Sequence, residues 1–217
     1  MFLGNSGVSP VVTLILAVCF LVLGARRLDT VIRLVVFQAV LLALLTGILG
    51  LANGIGEMVF IAGLTLVIKA GLIPFILKKV VDRIGPRFET RSYVNRKMSF
   101  LLAGALVMVA YLSTGRIAQT LSAPGREILA TAIAMLLIGL LVMVTRKLAV
   151  MQIAGFLIME NGLFLAGVGT THGMPLVVEL GIFLDMLIGV LIMGILTFRI
   201  QSSFGSINTE KLRNLRG

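Results

Sequence analysis

AVMQIAGFLIMENGLFLAGVG, residues 149–169, has the length and composition of a membrane-crossing helix, yet it carries a glutamate, Glu160, near its centre. A span needs about 20 mostly apolar residues to cross the hydrocarbon layer. A charge at mid-depth costs roughly 2.5–3.5 kcal/mol on insertion scales. A chain keeps such a group only where it is paired, neutral or part of a polar path. The same contradiction recurs in two other places. PLVVELGIFLDMLIGVLIMGILTF (175–198) holds Glu179 and Asp185, and MVFIAGLTLVIKAGLIPFIL (58–77) holds Lys69.

The remaining sequence fits a lipid-embedded chain. Its 217 residues are 59% hydrophobic and 13% charged. A soluble domain is nearer 45–50% apolar with about 25% charge. This predicts an all-α polytopic membrane protein with seven transmembrane helices, near 8–24, 31–52, 57–79, 98–114, 126–145, 149–171 and 175–198. Pro10 and Pro175 sit near helix starts, where a missing N–H is tolerated. Pro74 lies inside the third span just after Gly71, which predicts a kink beside Lys69. The N-terminal MFLGNSGVSP has no Lys or Arg, unlike the basic start of a cleaved signal peptide, so the first apolar run reads as a retained span.

Charge sets the expected orientation. With the N-terminus outside, 15 of the 19 Lys and Arg fall in inner loops or the tail, and two, Arg116 and Arg126, fall in outer loops. Arg146 and Lys147 belong to the last inner loop. This positive-inside bias predicts N-out/C-in and supports an odd number of spans. The net charge of +10 is then mostly topology and implies no nucleic acid partner. The inner 78–97 segment is a candidate contact for partner subunits or anionic lipid, beside the plainer reading of a solvated loop.

Residues 26–50 align without a gap on 146–170, and the register carries Thr65 onto Asp185 and Lys79 onto Arg199. The expected organisation is two parallel three-helix units, 1–80 and 126–200, joined by a basic loop and linker helix (81–125) and followed by a tail (201–217). Repeated helix units are common in transporters.

The membrane charges are weighed singly. Gly181, Asp185 and Gly189 share one helix face, which suits close helix packing. Asp185 and Glu160 each read either as a proton-exchanging carboxyl or as a neutral hydrogen-bonded strut. Glu179 lies a turn into its span and serves either the relay or the interface. Ala62, Thr65 and Lys69 share a face, and Lys69 must be paired, deprotonated or hydrated. Arg33 reads as snorkelling, and Glu57 and Glu127 as helix-start acids. His172, the one histidine, is a candidate proton entry or a solvated loop residue, and it excludes a site made of histidines. Cys19 reads as a small buried or lipid-facing side chain. No metal-ligand spacing, phosphate-binding glycine loop or nucleophile constellation is present.

From GFLIMENGLFLAG (155–167) through LDMLIGVLIMGIL (184–196) to INTEKLRNLRG (207–217), the chain resembles subunit K of respiratory complex I and its small relative in multisubunit sodium/proton antiporters. With its second unit and linker helix it resembles the hydrogenase-4 component E family. Those proteins are membrane subunits of formate hydrogenlyase-type, energy-converting hydrogenases. The resemblance implies a non-catalytic subunit in a prokaryotic cytoplasmic membrane, partnered by large antiporter-like subunits. A peripheral hydrogenase arm would bear the nickel–iron and iron–sulfur centres, with no cofactor in this chain. It also implies two carboxyls in proton transfer. The second aligns with Asp185. The first aligns with Leu157, one turn before Glu160 on the same face. A proton route through Glu160, Asp185, Glu179 and Lys69 is the resulting expectation. A self-contained secondary transporter and a structural scaffold are the alternatives.

Overall fold

The computed structural model describes residues 3–84, 92–117, 122–171 and 189. They form helices α1 (Leu3–Gly24), α2 (Leu28–Asn53), α3 (Gly56–Thr65), α4 (Ile73–Ile84), α5 (Arg96–Ile117), α6 (Ala123–Thr145) and α7 (Ala149–Thr171). A π-helical stretch, Leu66–Leu72, joins α3 to α4 into one continuous rod. Among the described residues, five helices are long and apolar enough to cross a membrane, and a shorter apolar one covers Val8–Gly24. They correspond to six of the seven expected stretches. The seventh, 175–198, lies outside the described residues except for Gly189, which approaches the Phe156 ring on α7.

The helix ends follow local chemistry. α2 stops because Gly54 adopts a left-handed backbone at φ 69°. That conformation lets the Ile55 N–H reach back to the Gly50 carbonyl at 2.9 Å and reverses the chain into α3. Gly50 lies so close to α3 that a Cβ there would meet Met58 Cβ at 2.8 Å.

Where Gly71 and Pro74 predict a kink, the irregularity takes the form of the π-helical stretch. Pro74 cannot donate to the Ala70 carbonyl, and its ring crowds that carbonyl in α geometry. A wider turn just before it gives the Ile73 N–H a partner five residues back, the Ile68 carbonyl. Lys69 sits in the middle of this turn.

α6 and α7 form an antiparallel pair packed backbone to backbone. Gly155, Gly162 and Gly169 recur every seventh residue along α7 and face α6. A Cβ at Gly139 would lie 2.6 Å from the Gly155 carbonyl, and one at Gly155 would lie 2.8 Å from the Gly139 carbonyl. In lipid there is little hydrophobic drive between helices, so small residues that allow close van der Waals approach supply the association. α1 packs on α2 and α6, α2 on α3 and α7, and α5 on α6 and α1. α5 presents Leu101, Met108, Val109 and Leu112 outward, and the third rod does the same with Phe60, Val67 and Phe75.

Two polar clasps tie the ends. At one, Ser9 Oγ on α1 donates to Glu127 Oε1 on α6 at 2.7 Å. At the other, the Tyr93 N–H donates to the Thr145 carbonyl at 3.0 Å, and Lys147 lies 4.5 Å over the Tyr93 ring. There too the Arg146 guanidinium donates to the Leu23 carbonyl at the end of α1. Loop counting uses Arg146 as an inner-loop orientation signal, and the residue is only 3% exposed. It satisfies a carbonyl that the helix end leaves without an internal partner and sits at the negative pole of α1. Arg146→Met keeps the apolar stem and deletes this contact. A loss of about 1.5–3 kcal/mol is expected, the range for hydrogen bonds to charged groups, read by thermal unfolding in detergent.

Candidate functional site

α7 has two working faces. The glycine face is committed to α6. At 100° per residue, Glu160, Asn161 and Phe164 cluster on the opposite face, towards α2 and the π-helical stretch. There Lys69 Nζ and Glu160 Oε2 are 2.5 Å apart. Both residues are almost wholly enclosed, at 4% and 3% exposure. Lys69 pairs within the chain, through the face that Ala62 and Thr65 share with it. All three of those residues are buried.

The pair is the head of a longer polar chain. Lys69 Nζ also donates to Asn161 Oδ1 at 3.1 Å. Asn161 Nδ2 donates to Gln38 Oε1 on α2 at 3.3 Å. Gln38 Nε2 then donates to the Ile15 carbonyl at 3.3 Å and to Cys19 Sγ at 3.0 Å, both on α1. The Phe164 ring centroid lies 4.8 Å from Nζ, within cation–π range. Every donor points away from Lys69 and every amide oxygen points towards it, so the dipoles run head to tail. Such chains polarise one another in a low-dielectric interior. One polar thread thus crosses from α7 through the π-helical stretch and α2 to α1.

Three buried oxygens at the head make no hydrogen bond among the described residues: Thr65 Oγ1 and both carboxylate oxygens of Glu160, of which Oε2 is held by the ion pair. A buried ion pair repays its desolvation only with good geometry and further hydrogen bonds. Lys69 has those further contacts, whereas Glu160 among the described residues relies on Lys69.

An uncharacterized protein of Mycobacterium tuberculosis, Rv0085, is 34% identical over 199 residues, 90% of each chain. The chain belongs to the Rv0085 family. More distantly, this Rv0085-family protein is homologous to hydrogenase-4 component E of Escherichia coli K12, at 27% identity over 149 residues and 69% of each chain. The component E of Shigella flexneri matches to the same extent. No protein-family model matches, and no solved structure does. The apolar helices, together with the homology to hydrogenase-4 component E, mark a membrane protein.

Of the expected site residues, Lys69 and Glu160 come together. Asp185, Glu179 and His172 lie outside the described residues. Sequence reasoning overlooked Gln38, Asn161 and Phe164 as parts of the site. The available signal was a lone amide inside an apolar span, RLVVFQAVLLALL (33–45), since such groups in membranes act between helices. Cys19 is indeed buried, and it also ends the polar thread.

Proposed function

We propose that this chain is a non-catalytic membrane subunit of a hydrogenase-type, complex I-like energy-converting assembly, in which the Lys69–Glu160 pair couples charge to proton movement. One observation carries the reading: an enclosed lysine–glutamate pair at the crossing of helices, wired by amides to a third and a fourth helix. Buried ionisable groups in membranes mark ion or proton pathways. The distant relationship to hydrogenase-4 component E supports membership of a multisubunit complex. Formate hydrogenlyase-type chemistry and the nickel–iron and iron–sulfur centres belong to partner subunits in this proposal, and large antiporter-like subunits flank the chain.

Asp185 is the next proton carrier in the proposed route. In sequence it stands one turn before Gly189, and Gly189 adjoins Phe156, one turn before Glu160. Glu179 and then His172 would extend the route outward. The two polar clasps support the proposed topology. Leu23, Tyr93 and Arg146, all at or near inner loops in the N-out/C-in reading, meet at one end, and Ser9 and Glu127 meet at the other. The packing of α1 on α6 and α2 on α7, which the internal alignment relates, supports two parallel units.

The test uses the assembled complex in inverted membrane vesicles. Glu160→Gln is expected to leave assembly on a native gel intact and to lower redox-driven proton uptake at least tenfold. Undiminished uptake in an assembled Glu160→Gln complex would overturn the reading in favour of a scaffold. Proton uptake by the purified chain alone would instead make it a self-contained transporter.

A further inference from the structure

The lysine and the glutamate of the pair are not equally provided for. Glu160 is held by the Lys69 ammonium, and its Oε1 makes no hydrogen bond among the described residues. Lys69 meets the Glu160 carboxylate, Asn161 Oδ1 at 3.1 Å and the Phe164 ring at 4.8 Å. The second and third of these contacts do not depend on the charge of Glu160. Asn161 is itself held in orientation, because its Nδ2 is engaged by Gln38 Oε1 and Gln38 is engaged in turn by the Ile15 carbonyl. With the amide nitrogen tied to Gln38, the amide oxygen is left facing Nζ.

We infer that Asn161 and Phe164 are positioning residues that hold Lys69 as a fixed cation, so that Glu160 is the member of the pair that takes up and releases the proton. The inference rests on the reading above and assigns separate roles within it. With Glu160 ionised the site is neutral, ammonium against carboxylate. When a proton arrives it bonds to a Glu160 carboxylate oxygen, for which Oε1 is the one not engaged by Lys69. Glu160 becomes a neutral carboxylic acid, Lys69 keeps all its protons, and the site carries one positive charge. An isolated ammonium in that position would be expelled or would lose its proton. The amide oxygen and the aromatic face are what make the charged intermediate tolerable. Gln38 acts one step further out, by fixing which end of Asn161 faces the lysine. The titratable groups on this thread are Lys69, Glu160 and, at its far end on α1, Cys19.

A stability cycle on the full-length chain in phospholipid nanodiscs tests this without any measurement of pumping. Glu160→Gln mimics the protonated state and is expected to be mild, because the cradle remains. Asn161→Leu is expected to be mild while Glu160 is ionised. Together they strip the ammonium of both the carboxylate and the amide oxygen, and the fall in Tm should exceed the sum of the single effects by roughly 5 °C. Adding Lys69→Met to that pair removes the stranded cation and should raise Tm back. If the Asn161→Leu/Glu160→Gln chain cannot be purified, recovery of expression on adding Lys69→Met is the readout. Phe164→Leu in place of Asn161→Leu should give the same pattern at smaller size. Additive losses, or a triple variant no better than the double, would mean that Asn161 is ordinary packing and that the role assignment fails. That outcome leaves the proton-uptake test of Glu160→Gln untouched, so the two failures are distinguishable.

Discussion

Lys69→Met is expected to destabilise the folded chain by about 3–5 kcal/mol, the usual cost of removing one member of a buried ion pair. Glu160 would be left enclosed without the ammonium that now lies 2.5 Å from its Oε2. Adding Glu160→Leu should restore most of the loss. Well-packed apolar replacements of whole buried pairs are often neutral, or stabilising by about 1–4 kcal/mol. The Lys69→Met/Glu160→Leu chain should therefore accumulate in membranes and assemble, yet support no coupled proton uptake. Denaturation of the purified variants gives the first quantity and uptake by vesicles gives the second. A double variant that assembles and still couples would show that the pair exists only to fix the fold. A double variant as unstable as Lys69→Met alone would show that the pair is not an energetic unit.

Gly155→Leu should remove folded protein from the membrane. The position has no room for even one added carbon: a Cβ would lie 2.8 Å from the Gly139 carbonyl and 2.9 Å from the Met143 nitrogen, both backbone. Neither atom can yield without the two helices moving apart. Overpacking a core typically costs about 1–3 kcal/mol, and a full isobutyl group against backbone should exceed that range. The damage also reaches the site, because the face of α7 opposite Gly155 carries Glu160, Asn161 and Phe164. Gly104→Leu is the control. That glycine lies on α5 with nothing within 4 Å of a built Cβ, so the variant should accumulate normally. Equal loss for both substitutions would argue that insertion, rather than α6–α7 packing, limits accumulation.

Much of this is legible in the sequence. The stretches 31–52, 57–79, 98–114, 126–145 and 149–171 each meet a helix long enough to span a membrane, because twenty apolar residues in a row admit few other fates. Glu160 and Lys69 stood out for the same energetic reason. What the chain could not disclose was that they meet. Their attraction is a matter of how α7 lies against the π-helical stretch, and nothing local in either segment encodes it. Gln38 escaped notice because one glutamine in an apolar span is unremarkable until its partner Asn161, far along the sequence, is set beside it. The contact that Arg146 makes was hidden for a different reason. Counting cations by loop gives an orientation but is blind to the carbonyl at the end of α1 that this guanidinium was waiting for. Pro74 announced a disturbance, and the choice of a widened turn over a sharp bend depended on neighbours that the local pattern does not name.

The wide turn bearing Lys69 leaves this rod one residue richer than a regular helix of the same height would be. Losing a residue between 66 and 72 would let the backbone settle into ordinary α geometry. The two halves of the rod would keep their mutual phase, because the wide turn is what absorbs the surplus residue, but Lys69 would lose its place on that turn. Length in this segment is thus a steering parameter: the surplus residue decides which way the ammonium points.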